Sequence, residues 1–410
     1  MPPDRGQGGF DVTEAHTERN VVLGVTGSIA AYKAVDLASK LTQTGVSVYT
    51  VMTESATKLV GPASFRAITG LPVATKMFEL EATFSIEHVS LAEKADLLLV
   101  APATANVIAK IAAGIADDLL TCTVLATRAP ILIAPAMHTA MWENPATQAN
   151  VKTLRERGID FVGPAVGRLA SGGFGAGRFA PVPEVLGRTL QALGRTGDLS
   201  GRRIVISAAG TREAIDPIRF LGNRSTGKMG FALAEAARDR GASATLISGP
   251  TQLPAPSGMD VIPVESAADM LDAVRESSKG ADALIMSAAV ADYRPEAPSP
   301  SKLKKAEGDL TLTLERTADI LDSVRDVSVR VGFAAETQDV IENARAKLTT
   351  KNLDLIVANA VGGEQSPFGA ETNEAILLAK SGEAEELPRL SKRELAERIL
   401  DRVRDILATD

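Results

Sequence analysis

The sequence is poor in cysteine and histidine and has no excess of basic residues. Its only cysteine is Cys122, so no disulfide can form within the chain, and a reducing compartment is expected. The net charge of −7 gives no reason to expect nucleic acid as a partner, because binding many phosphates requires a basic surface.

Long hydrophobic runs are also missing. No apolar run reaches the roughly 18 residues that a membrane-spanning helix requires. Residues 1–19 are polar and lack the apolar segment of a signal peptide. We therefore expect a cytoplasmic protein without a membrane partner and with a disordered tail over residues 1–19.

Short apolar, β-branched segments alternate with helical stretches along the chain. In the first half they cover residues 21–25, 46–52, 96–101, 131–134 and 159–162. In the second half they cover residues 203–207, 244–248, 261–264, 283–287, 331–334 and 355–358. This pattern predicts two doubly wound parallel-sheet domains in tandem, Rossmann- or flavodoxin-like, with ligands beyond the carboxyl ends of the strands.

The boundary between the two domains is visible in the composition. Over residues 187–202 the apolar segments stop, and Gly, Thr and Arg accumulate. We predict a first domain over residues 20–190, a linker over 191–200 and a second domain over 201–410.

The first half opens with a strand, a tight turn at Gly27-Ser28 and the start of a helix. Backbone N–H groups at such a turn bind phosphate, although a turn without a ligand is equally compatible with the sequence. The dinucleotide fingerprint G-x-G-x-x-G is absent, which favours a mononucleotide. Thr53 and Ser55 add hydroxyls after the second strand.

Three further motifs lie at residues 85–92 (SIEHVSLA), 101–110 (APATANVIAK) and 135–142 (PAMHTAMW). Together with the first turn they resemble the flavin-dependent cysteine decarboxylases, specifically the phosphopantothenoylcysteine decarboxylase half of the bifunctional coenzyme A biosynthesis proteins, over residues 20–185. The resemblance implies a trimer with FMN at a subunit interface. The implied FMN contacts are Gly27, Ser28, Ile29, Thr53, Ser55, Thr104 and Asn106.

The same resemblance assigns roles to the substrate side of the site. His88 matches the catalytic histidine, which would move protons at neutral pH; a structural role as a polar residue beside the following segment is the alternative. The implied substrate contacts are Met137, His138, Ser171 and Arg178.

Two positions depart from the family pattern. His138 stands where the family has an Asn that binds the substrate carboxylate, and it could act as a donor or as imidazolium. Ser171 stands where the proton-donating Cys of the mobile lid is usual. A hydroxyl is a much weaker acid than a thiol. Either water or another group therefore reprotonates the enethiolate, or the decarboxylase half is slow. Cys122 is expected to pack in the core and not to replace the missing cysteine of the lid.

In the second half, Gly222, Gly227 and Lys228 nearly match a P-loop. Met229 replaces the hydroxyl that binds Mg²⁺, and no strand is predicted before the loop, so we reject a P-loop and retain a glycine-rich anion site. A lysine cluster at residues 302–305 would ordinarily be a solvated surface. Because this cluster lies in a loop beside a strand end, its positive charges suit the binding of a triphosphate.

These motifs resemble the bacterial phosphopantothenate–cysteine ligases over residues 200–405. The resemblance implies CTP with Mg²⁺, and a dimer; no metal ligand from the protein is assigned. Asn223 would position the acyl-cytidylate, and Lys302 would stabilise charge as pyrophosphate leaves. The implied CTP contacts are Met286, Ser287, Ala288, Asp292, Lys302, Ala318, Asp319, Ile320, Leu321, Phe333, Lys347 and Lys351.

The two implied activities fit together, because one makes the substrate of the other. The ligase half would couple 4'-phosphopantothenate to L-cysteine, and the flavoprotein half would decarboxylate the product to 4'-phosphopantetheine. A homo-oligomer is expected, built from decarboxylase trimers and ligase dimers up to a dodecamer. Alternatives for the first domain are a flavin prenyltransferase, a peptidyl-cysteine decarboxylase, a flavin-binding regulatory protein and an impaired decarboxylase. The changes at His138 and Ser171 leave the last two open.

Overall fold

A computed structural model describes residues 19–77, 87–170, 172–304, 310–336, 339–360 and 369–409. The chain forms two compact units, divided between Thr189 and Leu190. Among the described residues, no helix combines the length and the apolar character needed to cross a bilayer.

The first unit contains a six-stranded parallel sheet in the order β3-β2-β1-β4-β5-β6. Its strands are β1 (Asn20–Val25), β2 (Ser47–Met52), β3 (Val73–Ala74), β4 (Leu97–Ala103), β5 (Ile131–Pro135) and β6 (Asp160–Phe161). All seven residues of β4 are buried, as expected for a central strand covered on both faces. An antiparallel pair follows the sheet, β7 (Ala165–Arg168) and β8 (Phe174–Arg178).

Nine helices are described in or at the end of this unit, and apolar residues at helical spacing place them against the sheet. In α5, for example, Val107, Ile108, Ile111 and Ala112 are buried. The helices are α1 (Ala31–Gln43), α2 (Glu54–Thr57), α3 (Pro62–Thr69), α4 (Glu87–Lys94), α5 (Ala105–Ala113), α6 (Leu119–Ala126), α7 (Thr139–Trp142), α8 (Pro145–Glu156) and α9 (Val182–Gly194).

The second unit contains an eight-stranded sheet in the order β13-β12-β9-β14-β17-β18-β19-β20. The first six strands in this order are parallel, and the last two are antiparallel. The strands are β9 (Arg203–Ala208), β12 (Ser243–Ser248), β13 (Asp260–Pro263), β14 (Ala283–Met286), β17 (Val329–Glu336), β18 (Leu355–Ala360), β19 (Thr372–Ala379) and β20 (Ala384–Ser391).

Two antiparallel pairs lie outside this sheet: β10 (Arg212–Ala214) with β11 (Phe220–Gly222), and β15 (Tyr293–Pro295) with β16 (Leu314–Arg316). The helices are α10 (Lys228–Asp239), α11 (Ala267–Ser277), α12 (Ile320–Ser323), α13 (Val340–Thr350) and α14 (Lys392–Leu407). A Cβ on Gly230 would lie 2.5 Å from the Cβ of Ala208 and 2.7 Å from Oγ of Ser287. Glycine therefore lets α10 pack directly on β9 and beside the end of β14.

The predicted fold class is confirmed: every predicted strand segment contains a strand of one of the two large sheets. The sequence did not predict the antiparallel edge β19-β20 or the three small antiparallel pairs. Helix α9 continues to Gly194, so the first part of the predicted linker is helical. The strand predicted over residues 159–162 is shorter, Asp160–Phe161.

Candidate active sites

In the first unit, hydroxyl groups join the carboxyl ends of three strands. Thr26, which follows β1, donates through Oγ1 to the carbonyl of Pro102 (2.7 Å) and accepts from the N–H of Thr104 (3.0 Å). Ser28 donates through Oγ to the carbonyl of Ala136 (3.1 Å). The turn after β1 is therefore held against the ends of β4 and β5.

A glycine is required in this turn. A Cβ on Gly27 would lie 2.4 Å from the Cβ of Ser55, well inside van der Waals contact. Because Gly27 has no Cβ, Ser55, one of the predicted flavin contacts, can pack against the turn. Thr53 instead caps α2, where its Oγ1 accepts from the N–H of Ala56 at 3.3 Å.

A cavity of about 660 Å³ lies at this edge. Seven predicted site residues line it: Gly27, Ser28, Ile29, Thr104, Met137, His138 and Arg178. Lining residues that the sequence analysis did not assign include Tyr32, Lys33, Met141, Arg168 and Phe179. Apolar side chains and cations thus face one cavity, an arrangement that suits a ligand with an aromatic ring and a phosphate.

Lys33 adds positive charge to this cavity. Burial, followed by the neighbouring positive charge of Arg178, lowers the pKa of the Lys33 ammonium. The only sequence signal for Lys33 was its position in the first turns of the helix after Gly27-Ser28.

Four predicted residues do not line the cavity: His88, Thr53, Ser55 and Asn106. Asn106 is exposed in the first turn of α5, and His88 is half-buried in the first turn of α4. Because α4 runs back toward the start of β4, its first turn lies toward the carboxyl edge of the sheet. Ser171 lies outside the described residues.

His138 has a contact that fixes its tautomer. It is the N-cap of α7, and its Nδ1 accepts from the N–H of Ala140 at 3.2 Å. An accepting Nδ1 carries no proton, so the neutral ring has its proton on Nε2. His138 therefore presents one N–H donor at a position that lines the cavity.

The β7-β8 pair packs directly on this segment. The N–H of Met137 donates to the carbonyl of Gly177 at 2.9 Å. A Cβ on Gly177, whose φ is +128°, would lie 2.4 Å from the carbonyl oxygen of Met137. Only glycine fits there.

Cys122 takes no part in this cavity. Its thiol donates to the carbonyl of Ala116 at 3.3 Å, and burial followed by the charges of Asp118 and Asp117 raises its pKa. The side chain is only half-buried, so the prediction that Cys122 packs in the core is wrong; it lies in α6.

In the second unit, a cavity of about 960 Å³ lies at the carboxyl ends of β14, β17 and β18. It is lined by Asn223 and by every predicted CTP contact except Lys302: Met286, Ser287, Ala288, Asp292, Ala318, Asp319, Ile320, Leu321, Phe333, Lys347 and Lys351. These residues come from five separate stretches of sequence, and the fold brings them to one cavity.

Hydrogen bonds fix the loop after β14 on its neighbours. Ser287 donates through Oγ to the carbonyl of Ser207 (2.6 Å), and the N–H of Ala288 donates to Oγ of Ser207 (3.1 Å). Asn223 donates through Nδ2 to the carbonyl of Val290 (2.9 Å), which leaves its Oδ1 available. The loop is thus preorganised for a ligand.

The predicted phosphate-binding lysines already have protein partners. Lys347 donates to the carbonyl of Phe333 at 3.0 Å. Lys351 donates to Asp319 (2.5 Å) and Asp322 (2.8 Å), and these hydrogen bonds, that to Asp319 first, raise the pKa of Lys351. Burial opposes ionisation of Asp319, but the bond from Lys351 and other hydrogen bonds outweigh it and lower the pKa of Asp319.

Lys302 is exposed and does not line the cavity. The adjacent Leu303 is anchored, since its N–H donates to Asp216 at 3.1 Å and its carbonyl accepts from Arg219 at 2.9 Å. The predicted role of Lys302 in catalysis stays a prediction.

Several residues at this cavity were not assigned from the sequence: Lys228, Tyr293, Arg316, Asn359, Asn373 and Lys392. Lys228 begins α10 after Gly227, an N-cap with φ +85°. The element before this loop is a strand, contrary to our expectation, but β11 belongs to an antiparallel pair and not to the parallel sheet. Rejection of the P-loop therefore holds for a different structural reason.

Comparison with known proteins places each unit. The family model described as Flavoprotein matches residues 10–194, and that described as DNA/pantothenate metabolism flavoprotein C-terminal domain matches residues 199–407. The coenzyme A biosynthesis bifunctional protein CoaBC of Bacillus subtilis is 47% identical over 392 residues, covering 94% of this chain and 96% of its own length.

The protein of the same name from Mycobacterium tuberculosis is 46% identical over 409 residues, covering 95% of this chain and 97% of its own. Among solved structures, the C-terminal domain of a coenzyme A biosynthesis bifunctional protein CoaBC is 42% identical. It covers 52% of this chain and 100% of that chain, with a TM-score of 0.45.

Proposed function

Because the chain belongs to the family of bifunctional coenzyme A biosynthesis proteins, we propose how its two units divide the two activities. The chain is a phosphopantothenate–cysteine ligase and a phosphopantothenoylcysteine decarboxylase. The second unit makes 4'-phospho-N-pantothenoylcysteine, and the first unit decarboxylates it to 4'-phosphopantetheine.

In the ligase, the carboxylate of 4'-phosphopantothenate attacks the α-phosphate of CTP, and pyrophosphate leaves. The cysteine amine then attacks the acyl-cytidylate and releases CMP. The cytidine lies against Met286–Ala288, Asp292 and Phe333, and against residues 318–321. Asn223 positions the acyl group, and Lys347, Lys351 and Lys302 face the phosphates together with Mg²⁺. The observation that carries this proposal is that eleven of the twelve expected nucleotide contacts line one cavity.

Lys302 and the Lys351 ion pairs require local rearrangement in this scheme. A triphosphate replaces Asp319 and Asp322 as the partner of Lys351, and the segment around Lys302 moves toward the phosphates. Both changes are driven by the charge of the nucleotide, since phosphate oxygens accept charge-assisted hydrogen bonds from lysine.

In the decarboxylase, the residues at the first cavity fit FMN. The backbone N–H groups of the Gly27-Ser28 turn and the hydroxyl groups beside it bind the phosphate, and Ile29 and Thr104 lie at the same cavity. FMN supplies the two-electron oxidation and reduction that decarboxylation of a cysteine carboxylate requires. His138 donates from Nε2 to the substrate carboxylate, Met137, Ser171 and Arg178 contact the substrate, and His88 transfers protons.

A homo-oligomer accounts for the expected flavin-site residues that lie away from the cavity. His88 and Asn106 are near the carboxyl edge but do not line the cavity of their own chain. In a trimer with FMN at the subunit interface, they contact the flavin or substrate of a neighbouring chain. We also propose dimerisation of the ligase unit, up to a dodecamer for the whole protein, and a cytoplasmic location.

The proposal is tested with one coupled reaction. Purified protein is incubated with 4'-phosphopantothenate, cysteine and either CTP or ATP, and the products are identified by mass spectrometry. We expect CMP, pyrophosphate and 4'-phosphopantetheine with CTP, and little product with ATP. Absence of any cysteine adduct with CTP would refute the ligase assignment.

A second candidate is a working ligase with an impaired decarboxylase. It is favoured by Ser171, which stands at the position of the usual proton-donating cysteine. In the same assay it predicts accumulation of 4'-phospho-N-pantothenoylcysteine without carbon dioxide release, which separates the two candidates directly.

A further inference from the structure

Arg330, in β17, is a buried arginine to which the proposed ligase reaction gives no role. Only 3% of its surface is exposed, and it does not line the ligase cavity. Its backbone N–H donates to Oδ2 of Asp354 at 2.9 Å. Because arginine is rarely buried without partners, the hydrogen bonds of its guanidinium indicate why a charge is kept at this position.

The guanidinium joins two segments that line the cavity. Its Nη2 donates to the carbonyl of Leu321 in α12 (2.5 Å) and to that of Lys351 at the end of α13 (3.0 Å). Its Nη1 donates to the carbonyl of Asn352 (3.1 Å), and Nε has no acceptor among the described residues. Leu321 and Lys351 both line the cavity. Arg330 therefore holds α12 against the end of α13 without contacting a ligand in the cavity.

The three carbonyls lie where a helix provides no donor. Helix α12 has only four residues, and Lys351 and Asn352 follow the last residue of α13. Carbonyl groups at such positions have no partner within the helix. A planar guanidinium with several donors can bind the ends of two segments at once, and its positive charge is favourable at a helix C-terminus.

The same two segments are joined a second time at the cavity. Lys351 donates to Asp319, the N-cap of α12, and to Asp322 within it. In the proposed reaction these ion pairs break, because Lys351 turns to the triphosphate. Phosphate cannot compete for Arg330 in the same way, since Arg330 is buried and does not line the cavity.

The charge of Arg330 also acts on the carboxylates that Lys351 would release. Burial lowers the pKa of the Arg330 guanidinium, and the negative charges of Asp354, Asp322 and Asp319 oppose this effect. Two of these three carboxylates are the partners of Lys351. Arg330 therefore continues to offset their charge after Lys351 has left them.

We propose that Arg330 is a positioning residue of the ligase, which keeps α12 and the end of α13 together while Lys351 exchanges its carboxylate partners for phosphate. This inference rests on the proposed ligase function. Residues 318–321 thereby stay in place for the cytidine although the ion pairs at the cavity are broken. Without Arg330, binding of CTP would have to order α12 again, and its affinity would fall.

The test uses Arg330→Met in the full chain. Methionine fills the core with a flexible apolar side chain but removes the charge and all donors. In the pyrophosphate-release assay, the KM for CTP should rise about ten-fold or more, because hydrogen bonds from a charged group are lost. The KM for cysteine should stay within about two-fold of the wild-type value, since cysteine enters after the nucleotide has reacted.

Two other substitutions at this position show whether the donors are responsible. Arg330→Lys keeps the charge and can still donate to the carbonyls, so it should retain more of the affinity for CTP than Arg330→Met. Arg330→Gln keeps one amide donor group without the charge, and its KM for CTP should lie between those of the other two variants. It replaces Arg330→Met in the comparison if the methionine variant does not fold.

Arg238→Met is the matched control for a loss of stability. Arg238 is 4% exposed, donates through Nη1 to the carbonyl of Ser257 at 2.6 Å and pairs with Asp239, but it does not line the cavity. Its substitution should lower the thermal stability of the second unit and leave the KM for CTP unchanged. An equal rise of this KM in the Arg238 and Arg330 variants would assign the effect to stability and overturn the inference.

Amide hydrogen exchange of residues 318–324 tests the change of partners directly. The probe is inorganic triphosphate, at a concentration that inhibits the reaction with CTP, because it engages Lys351 without a cytidine to cover α12. Triphosphate should accelerate exchange of this segment about ten-fold in Arg330→Met and leave the wild type unchanged. The same response in both proteins would contradict a positioning role.

An unchanged KM for CTP in Arg330→Met would also overturn the inference, as would an Arg330→Lys variant no better than Arg330→Met. Failure of the proposed function has a different signature. In that case the wild-type protein itself would form no cysteine adduct with CTP, whatever residue stands at position 330.

Discussion

His138 shows at the level of one residue how a departure from a family motif is tolerated. The Asn usual at this position is a good N-cap and has an amide donor. His138 reproduces both properties: Nδ1 caps α7 through the N–H of Ala140, and Nε2 is left as a donor. Nδ1 of His138 thus replaces the accepting oxygen of the Asn amide, and Nε2 replaces its donating nitrogen. A histidine at this position can therefore still donate a hydrogen bond to a carboxylate.

The proposed catalytic residues predict a reciprocal pair of single variants. His88→Asn should block carbon dioxide release by a hundred-fold or more, at about the scale of a lost acid–base group, and should leave pyrophosphate release from CTP unchanged. Lys302→Gln should do the opposite, because the two residues belong to different units. Pyrophosphate release is measured with 4'-phosphopantothenate, cysteine and CTP, and carbon dioxide release is measured separately with added 4'-phospho-N-pantothenoylcysteine, so that loss of the ligase does not remove the substrate of the decarboxylase.

Flavin absorbance provides the control, since neither variant removes a residue that lines the flavin cavity of its own chain. Normal carbon dioxide release from the His88 variant would show that this histidine is structural. Normal pyrophosphate release from the Lys302 variant would show that Lys302 stays exposed to solvent during catalysis and does not act on the phosphates.

Sequence motifs predicted Asn223 and eleven nucleotide contacts at the ligase cavity, but assigned no ligand contact to Lys228 or Lys392. The predicted residues follow strands of the parallel sheet, where ligands of such folds bind. Lys392 follows β20, an antiparallel strand at the edge of the sheet that was not predicted. Proximity to Lys228 arises only from packing of α14 beside α10, and no local pattern in the sequence encodes it.

At the level of elements, the β7-β8 pair is positioned by glycines rather than by side-chain packing. Gly177 allows β8 to approach the carbonyl of Met137, while Gly172 has φ +87° and open space around its Cα. The two glycines have similar backbone constraints but different surroundings, and they form a matched pair for mutagenesis.

Gly177→Ala should displace β8 from the Met137–His138 segment and lower decarboxylation at least ten-fold, because its Cβ would lie 2.4 Å from a backbone oxygen. Gly172→Ala should cost about 1–2 kcal/mol of local backbone strain and retain the contact between β8 and Met137. The readout is the rate of carbon dioxide release per bound flavin, with pyrophosphate release as the internal control. Equal loss in both variants would mean that backbone strain alone is responsible.

The elements that the sequence analysis missed share a physical cause. Strand β19 alternates between buried and exposed positions for most of its length, and β20 carries charged residues over much of its length. Strand β20 lacks the continuous apolar run by which buried parallel strands were recognised, and in β19 the run over residues 375–379 follows three polar residues, 372–374. The three small antiparallel pairs are stabilised by tertiary contacts and are too short for a periodic pattern.

At the level of the whole molecule, the second unit is held together by ion pairs between distant segments. Asp198, before the first strand of the unit, accepts from Arg240 of the α10 terminus at 2.5 and 2.9 Å and from Arg404 of α14 at 3.1 Å. Burial raises the pKa of Asp198, but hydrogen bonds and charge from both arginines outweigh it, and the net pKa is lowered.

This network predicts a loss of stability in acid. A carboxylate whose pKa is lower in the folded state stabilises above its unfolded pKa of about 3.9, and the contribution disappears as pH falls through the folded value. Asp198→Asn should therefore destabilise α10 and α14 by about 1–2 kcal/mol at pH 7. The difference from the wild type should shrink as the pH falls below 4.

Amide hydrogen exchange of α10 and α14, read by mass spectrometry, measures this local stability. Asp405→Asn is the control, because Asp405 pairs with Arg404 on the exposed side of α14. A difference between Asp198→Asn and the wild type that stays constant down to pH 3 would contradict an electrostatic role for Asp198.

Helix α14 also determines when the second unit can be completed during synthesis. Its residues Leu395, Ile399, Leu400 and Val403 are fully buried in a core that includes Ile204 and Ile206 of β9, almost two hundred positions earlier. A ribosome must therefore release α14 before this core can close, whereas the first unit has all its strands and can fold while translation continues. The flavoprotein unit can therefore fold first, while the ligase unit, still lacking α14, is exposed to chaperones and proteases.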